Sequence, residues 1–108
     1  MTKKRKDETM TIVDTIYNLN SNTLGAFHSK NVFIRTVTMF YVGRLASENE
    51  KFVFIEDAAW VADTGRFYDF LKNGSVNEVE PYTDAIAINK DAIVEVTIWN
   101  HELLKKQK

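Results

Sequence analysis

From Asn31 to Val61 the chain carries three runs rich in β-branched and aromatic residues, parted by only a few polar positions. Asn31 to Thr38 reads Asn-Val-Phe-Ile-Arg-Thr-Val-Thr, and Phe40 to Ser47 reads Phe-Tyr-Val-Gly-Arg-Leu-Ala-Ser. The third run, Lys51 to Val61, follows the polar turn Ser47 to Glu50. Such residues suit the pleated, half-buried surface of a sheet. Gly43 inside the second run predicts a bend where that sheet curls.

The rest of the chain supports a mainly β reading. Asp84 to Asn89 is a fourth strand, Lys90 and Asp91 make a tight turn, and Ala92 to Trp99 is a fifth, with Ile93, Glu95 and Thr97 alternating against Val94, Val96 and Ile98. Arg66 to Leu71 gathers Phe67, Phe70 and Leu71 on a short helical face, closed by Asn73, Gly74 and Ser75. Glu78 to Tyr82, which holds the only proline, reads as an irregular link. Near the start, Ile12, Val13, Ile16, Tyr17 and Leu19 give Thr9 to Leu19 a helical rhythm. A helix followed by five short, bent strands predicts a small five-stranded barrel with an N-terminal helix and an inserted helical turn between strands three and four. A barrel that leaves strands four and five free to pair with a neighbour predicts a homo-oligomer closed into a ring. The expected organisation is a disordered basic tail over 1–8, one barrel domain over 9–101 with an insertion at 63–83, and a loose basic tail over 102–108.

Composition narrows the function. A net charge of −1 argues against a whole-surface nucleic-acid binder. Lys3, Lys4, Arg5 and Lys6 at one end and Lys105, Lys106 and Lys108 at the other read as solubilising ends. The absence of cysteine fits a reducing compartment, and no apolar run reaches the length of a membrane-spanning helix. The expectation is a cytoplasmic protein without a membrane partner.

The candidate binding residues cluster between Glu56 and Tyr68. Trp60 and Phe67 offer flat faces for stacking on a base, Arg66 a clamp for phosphate, and Thr64 with Gly65 a turn that points N–H groups at an anion. Tyr82 adds a second stacking ring, Arg35 a second cation, and Thr38 and Asn89 hydrogen bonds to a sugar or base edge. Each has a structural alternative: Trp60 as a core or interface residue, Arg66 in an ion pair with Asp63 or Asp69, Arg35 at a subunit interface. His28 and His101 lie far apart in sequence, and no set of histidines and carboxylates has metal-ligand spacing. No serine sits in a nucleophile motif and no glycine-rich phosphate loop is present. The pattern predicts binding without chemistry: no catalytic residues, no metal and no cofactor.

The element order resembles the Sm-like fold, which includes the bacterial Hfq proteins. The likeness rests on a bent three-strand block from Val32 to Val61, with Tyr41-Val-Gly-Arg-Leu45 at the family's second-strand glycine, and a two-strand block from Ala85 to Trp99, with Asn89-Lys-Asp-Ala-Ile93 at its last turn. It implies an Sm-like or SH3-like barrel and an RNA-binding ring. Glu48-Asn-Glu50 lacks the family's aspartate-apolar-asparagine pattern, and Asp91 stands where a cation is expected, so the family's RNA site does not carry over intact. A second likeness is closer in residues. Arg35-Thr-Val-Thr38, Tyr41-Val-Gly-Arg-Leu45, Glu56-Asp-Ala-Ala-Trp60 through Phe67, and Glu78-Val-Glu-Pro-Tyr82 resemble small, mostly uncharacterised phage and prophage proteins. That resemblance implies a phage protein acting in the host cytoplasm. The resemblance supplies no activity, but several small phage proteins act as sponges that sequester the nucleotide signals of bacterial immunity, a task that a ring with aromatic-and-arginine pockets would suit. The alternatives are a ring that takes short RNA, or a phage structural or assembly protein without a small ligand.

Overall fold

A computed structural model describes residues 24–108 of the chain. The expected disordered tail at 1–8 and helix from Thr9 to Leu19 lie outside the described residues. Six strands form one antiparallel sheet: β1 (Asn31–Thr36), β2 (Phe40–Glu48), β3 (Phe52–Asp63), β4 (Glu78–Pro81), β5 (Ile86–Asn89) and β6 (Ile93–Ile98). The order across the sheet is β4-β3-β2-β1-β6, and β5 pairs with the first half of β3 while β4 pairs with its second half. A short helix, α1 (Phe67–Asn73), precedes β4.

The bend predicted at Gly43 is present, and β3 supplies its other half. Val42 faces Ala59 in the ladder, but Arg44 faces Glu56, so two residues of β3 are squeezed into a bulge. Asp57 takes φ 51° there, and β3 closes down on β2 until a Cβ at Gly43 would overlap Ile55 Cγ2 and stand 3.1 Å from the Ala58 Cα.

Both faces of the curled sheet are covered. Val32, Ile34, Leu45, Val53, Ile55 and Ile88 pack with Phe27 into one apolar cluster. Phe33, Val42, Val61, Val79, Phe70 and Trp99 form a second on the opposite face. Successive residues of a strand point to opposite sides, so β1 sends Val32 and Ile34 into one cluster and Phe33 into the other. Each large side chain removed from water in this way contributes about 1.5–3 kcal/mol. Helix α1 turns Phe70 and Leu71 onto the second cluster and stops at Gly74, whose left-handed φ of 74° lets its N–H donate to the Phe70 carbonyl.

Three expectations are corrected. The link from Glu78 to Tyr82 contains a sixth strand, because Val79 is buried beneath α1 and the proline falls where an edge strand tolerates a missing N–H. The sheet is not closed into a barrel. After Asn89 the 3-10 turn Lys90–Ala92 carries the chain from the β3 side to β6, which pairs with β1 at the far edge, and no ladder joins β5 to β6 among the described residues. The segment 102–108 is not a loose tail. Leu103 and Leu104 pack on the second cluster, and Lys108 and Val79 exchange backbone hydrogen bonds of 3.0 Å along the outer side of β4. His101 lies against Gly74 and reaches the Leu71 carbonyl through Nε2 at 2.8 Å.

One buried carboxylate ties the other end of the body together. Glu48, at the end of β2, accepts from the Leu24 N–H at 2.8 Å, from His28 Nε2 at 2.6 Å, and from the Lys90 ammonium. Burial alone would raise its pKa. The hydrogen bonds from Lys90, Leu24 and His28 outweigh that and hold the carboxyl below its ordinary range.

Candidate functional site

Thr36, at the end of β1, is buried, and its hydroxyl organises the turn into β2. Oγ1 donates to the Met39 carbonyl at 2.9 Å and accepts from the Met39 N–H at 2.9 Å and the Thr38 N–H at 3.3 Å. That fixes Thr38 on the rim of a cleft of about 390 Å³ between this turn and the segment Tyr82 to Ala92. Tyr41 and Tyr82 form its aromatic side, Ile86, Ile88 and Ala92 its apolar floor, and Thr38 and Asn89 its polar rim. The volume falls in the range of small-ligand sites, about 300–1,000 Å³.

The two tyrosine rings lie 6.3 Å apart, tilted by 36°. Tyr82 sits just past β4, held by its N–H on the Ala58 carbonyl at 2.8 Å, and the residue is 42% exposed. Burial, and then the neighbouring Tyr82 hydroxyl, push the Tyr41 pKa up, so Tyr41 keeps its proton and remains a donor. The Asn89 side-chain oxygen accepts from the Asp91 N–H at 2.8 Å, which orients the carboxamide and leaves its NH₂ without a partner among the described residues.

Tyr82 also borders a second cleft of about 360 Å³, lined by Arg44, Glu56, Asp57, Thr83 and Asp84. Arg44 pairs with Glu56 and, at 3.2 Å, with Asp57. Hydrogen bonds to Glu56 first and Asp57 second raise its pKa above the ordinary value.

The eight residues singled out in the sequence divide between the two faces. Thr38, Tyr82 and Asn89 come together in the first cleft. Trp60 faces Tyr41 across the β2–β3 ladder and so shares its side of the sheet, next to the cleft rather than lining it. Phe67 is on the opposite face, with its ring 5.7 Å from Phe33 and 6.0 Å from Phe70. Trp60 and Phe67 therefore cannot sandwich one base within a single chain. The Thr64 turn satisfies itself: the Thr64 hydroxyl donates to the Gly65 carbonyl at 2.7 Å and the Gly65 N–H donates to Asp63 at 2.9 Å. The N–H expected to meet an anion is thus already taken. Arg66 is exposed at the head of α1 and forms no ion pair among the described residues, neither to Asp63 nor to Asp69. Arg35 is held by Glu95, its ladder partner on β6, at 2.8 Å.

Tyr41 is the cleft residue that sequence reasoning missed. Its position two residues before Gly43, at the bend, was the available signal. The cleft offers flat rings, an amide and hydroxyls, and among the described residues none of those hydroxyls is hydrogen-bonded to a histidine or carboxylate. Among the described residues no group of three histidines or carboxylates is close enough to hold a metal ion. The chain matches no family model and no curated protein.

Proposed function

We propose that this protein is a non-enzymatic binding module that takes the base of a nucleoside-type ligand in the cleft between Tyr41 and Tyr82. The observation that carries this reading is the tilted tyrosine pair beside the Asn89 carboxamide, whose NH₂ has no partner among the described residues, on a small cleft of mixed polar and apolar lining. Tyrosine faces stack on any base, and Asn89 and Thr38 supply hydrogen bonds that select among base edges. The likeness of its strand runs to small phage proteins extends the proposal to a sponge for a nucleobase-bearing ligand in the host cytoplasm.

Assembly belongs to the same proposal. Among the described residues the outer edges of β5 and β6 have no strand partner, and the exposed Val37 and Val94 lie at the β6 end of the sheet. Pairing β5 of one copy with β6 of the next is a heterologous contact that closes a ring. The same exposed valines favour a second reading, an assembly protein whose partner is another protein.

Calorimetric titration of the full chain with the four common ribonucleosides and their 5′-monophosphates tests the binding reading. Saturable binding of at least one of them, weakened by Tyr82→Ala, is expected. No binding by any, or binding that Tyr82→Ala leaves unchanged, would overturn it.

A further inference from the structure

We infer that the Tyr41–Tyr82 cleft selects the phosphate-free form of its ligand, a nucleoside or free base, over the corresponding nucleotide. This rests on the nucleobase reading above and adds the chemical class of the ligand.

The charges around the cleft carry it. Among the described residues, no lysine or arginine lines the cleft itself. Among the described residues, the second cleft, also bordered by Tyr82, sets Glu56, Asp57 and Asp84 against the guanidinium of Arg44, three negative groups and one positive, a net of −2. Arg44 is engaged by two of those carboxylates. Two cations adjacent in sequence to cleft residues are paired: Lys90, which follows Asn89, reaches Glu48, and Arg35, which precedes Thr36, is paired with Glu95. Glu80 stands opposite Trp60 in the β3–β4 ladder, and Asp91 follows two residues after Asn89.

A base seated on Tyr82 with its ribose toward Thr38 meets no cation among the described cleft residues to receive a phosphate. A phosphate swung past Tyr82 meets the carboxylate-rich cleft. Like charges brought together across a binding surface weaken association, and the effect fades as salt screens exposed groups. The neutral rings and the Asn89 amide cost nothing to a nucleoside in this respect. The selectivity is therefore a repulsive device placed beside an attractive one.

The test compares each of the four ribonucleosides with its 5′-monophosphate on the full chain, at low and at high salt. The expected result is that the monophosphate of the best-bound nucleoside binds about tenfold more weakly, or worse, at low salt, with the gap narrowing at high salt. The double variant Glu56→Gln, Asp57→Asn removes both carboxylates from Arg44, and the left-handed conformation at position 57 is one that asparagine tolerates as aspartate does. It is expected to raise monophosphate affinity about tenfold and to leave nucleoside affinity within about twofold. A monophosphate that binds the wild-type chain as well as its nucleoside, or better, would overturn the selectivity and leave the nucleobase reading standing. Failure of every nucleoside and monophosphate to bind would overturn both.

Discussion

The His28 imidazole hydrogen-bonds through Nε2, at 2.6 Å, to the carboxylate of Glu48, whose side chain is only 6% exposed. With the Leu24 N–H and the Lys90 ammonium on the same carboxylate, this group joins the entry to β1, the end of β2 and the crossover to β6. Removing one member of a buried charged network strands the others. Glu48→Ala is expected to destabilise the fold by about 3 kcal/mol, measured by equilibrium urea unfolding. The pH dependence follows from the lowered Glu48 pKa. A carboxylate whose pKa is lower folded than unfolded adds stability above the unfolded value, near pH 4.3, and that stability is lost as pH falls through the folded value. Stability should therefore drop on acidification below about pH 4.3 in the wild type, and less steeply in Glu48→Gln.

Gly43 is required by space. Its φ is not left-handed, but a Cβ there would overlap Ile55 and crowd the Ala58 Cα and the Glu56 carbonyl, each at 3.1 Å. Backbone cannot step aside as a flexible side chain does. Gly43→Ala is expected to cost about 2–3 kcal/mol and to disturb the Asp57 bulge. A thermal midpoint within about a degree of wild type would show that β2 and β3 are not so closely apposed.

The last six residues are structural. Leu103 and Leu104 are half-buried on the Phe70–Trp99 cluster, and Lys108 closes a backbone pair with Val79. Deleting 103–108 is expected to cost about 2–3 kcal/mol, half-burial of two leucines plus a lost edge pairing, read from denaturant midpoints. A truncated chain as stable as the full one would mean that this segment does not cover β4 in solution.

Much of this fold was legible, because local chemistry and tertiary packing agree along it. The β-branched runs from Asn31 to Val61 became β1 to β3, Gly43 marked the bend, and Phe67, Phe70 and Gly74 marked helix α1 and its end. What was hidden depended on contacts distant in sequence. Pro81 argued against a strand, yet Val79 needed the shelter of α1 and Trp99, and packing outweighed the proline. Lys105, Lys106 and Lys108 made the C-terminal end look solvated, although Leu103 and Leu104 just before them had an apolar face to cover. For the candidate site, Thr38, Tyr82 and Asn89 share one cleft, whereas Phe67, read together with them in the sequence, lies on the other face. The alternation of β3 sends Trp60 to one side of the sheet, while the chain after Asp63 folds Phe67 back onto the other.

Assembly through strand edges has its own signature. If β6 pairs with a neighbouring copy, light scattering gives a mass of several chains, and Val94→Asp, at an exposed edge position, returns the chain to a monomer with its stability changed by less than about 0.5 kcal/mol. A wild-type chain that is monomeric at high concentration would contradict the ring.

The most direct test of the binding account is amide chemical-shift mapping of the full chain during titration with the best-bound nucleoside. The shifts are expected to centre on Thr38, Tyr41, Tyr82 and Asn89 and to leave Thr64, Arg66 and Phe67 unmoved. Shifts centred on the Thr64 turn and α1, with the tyrosine cleft silent, would contradict it.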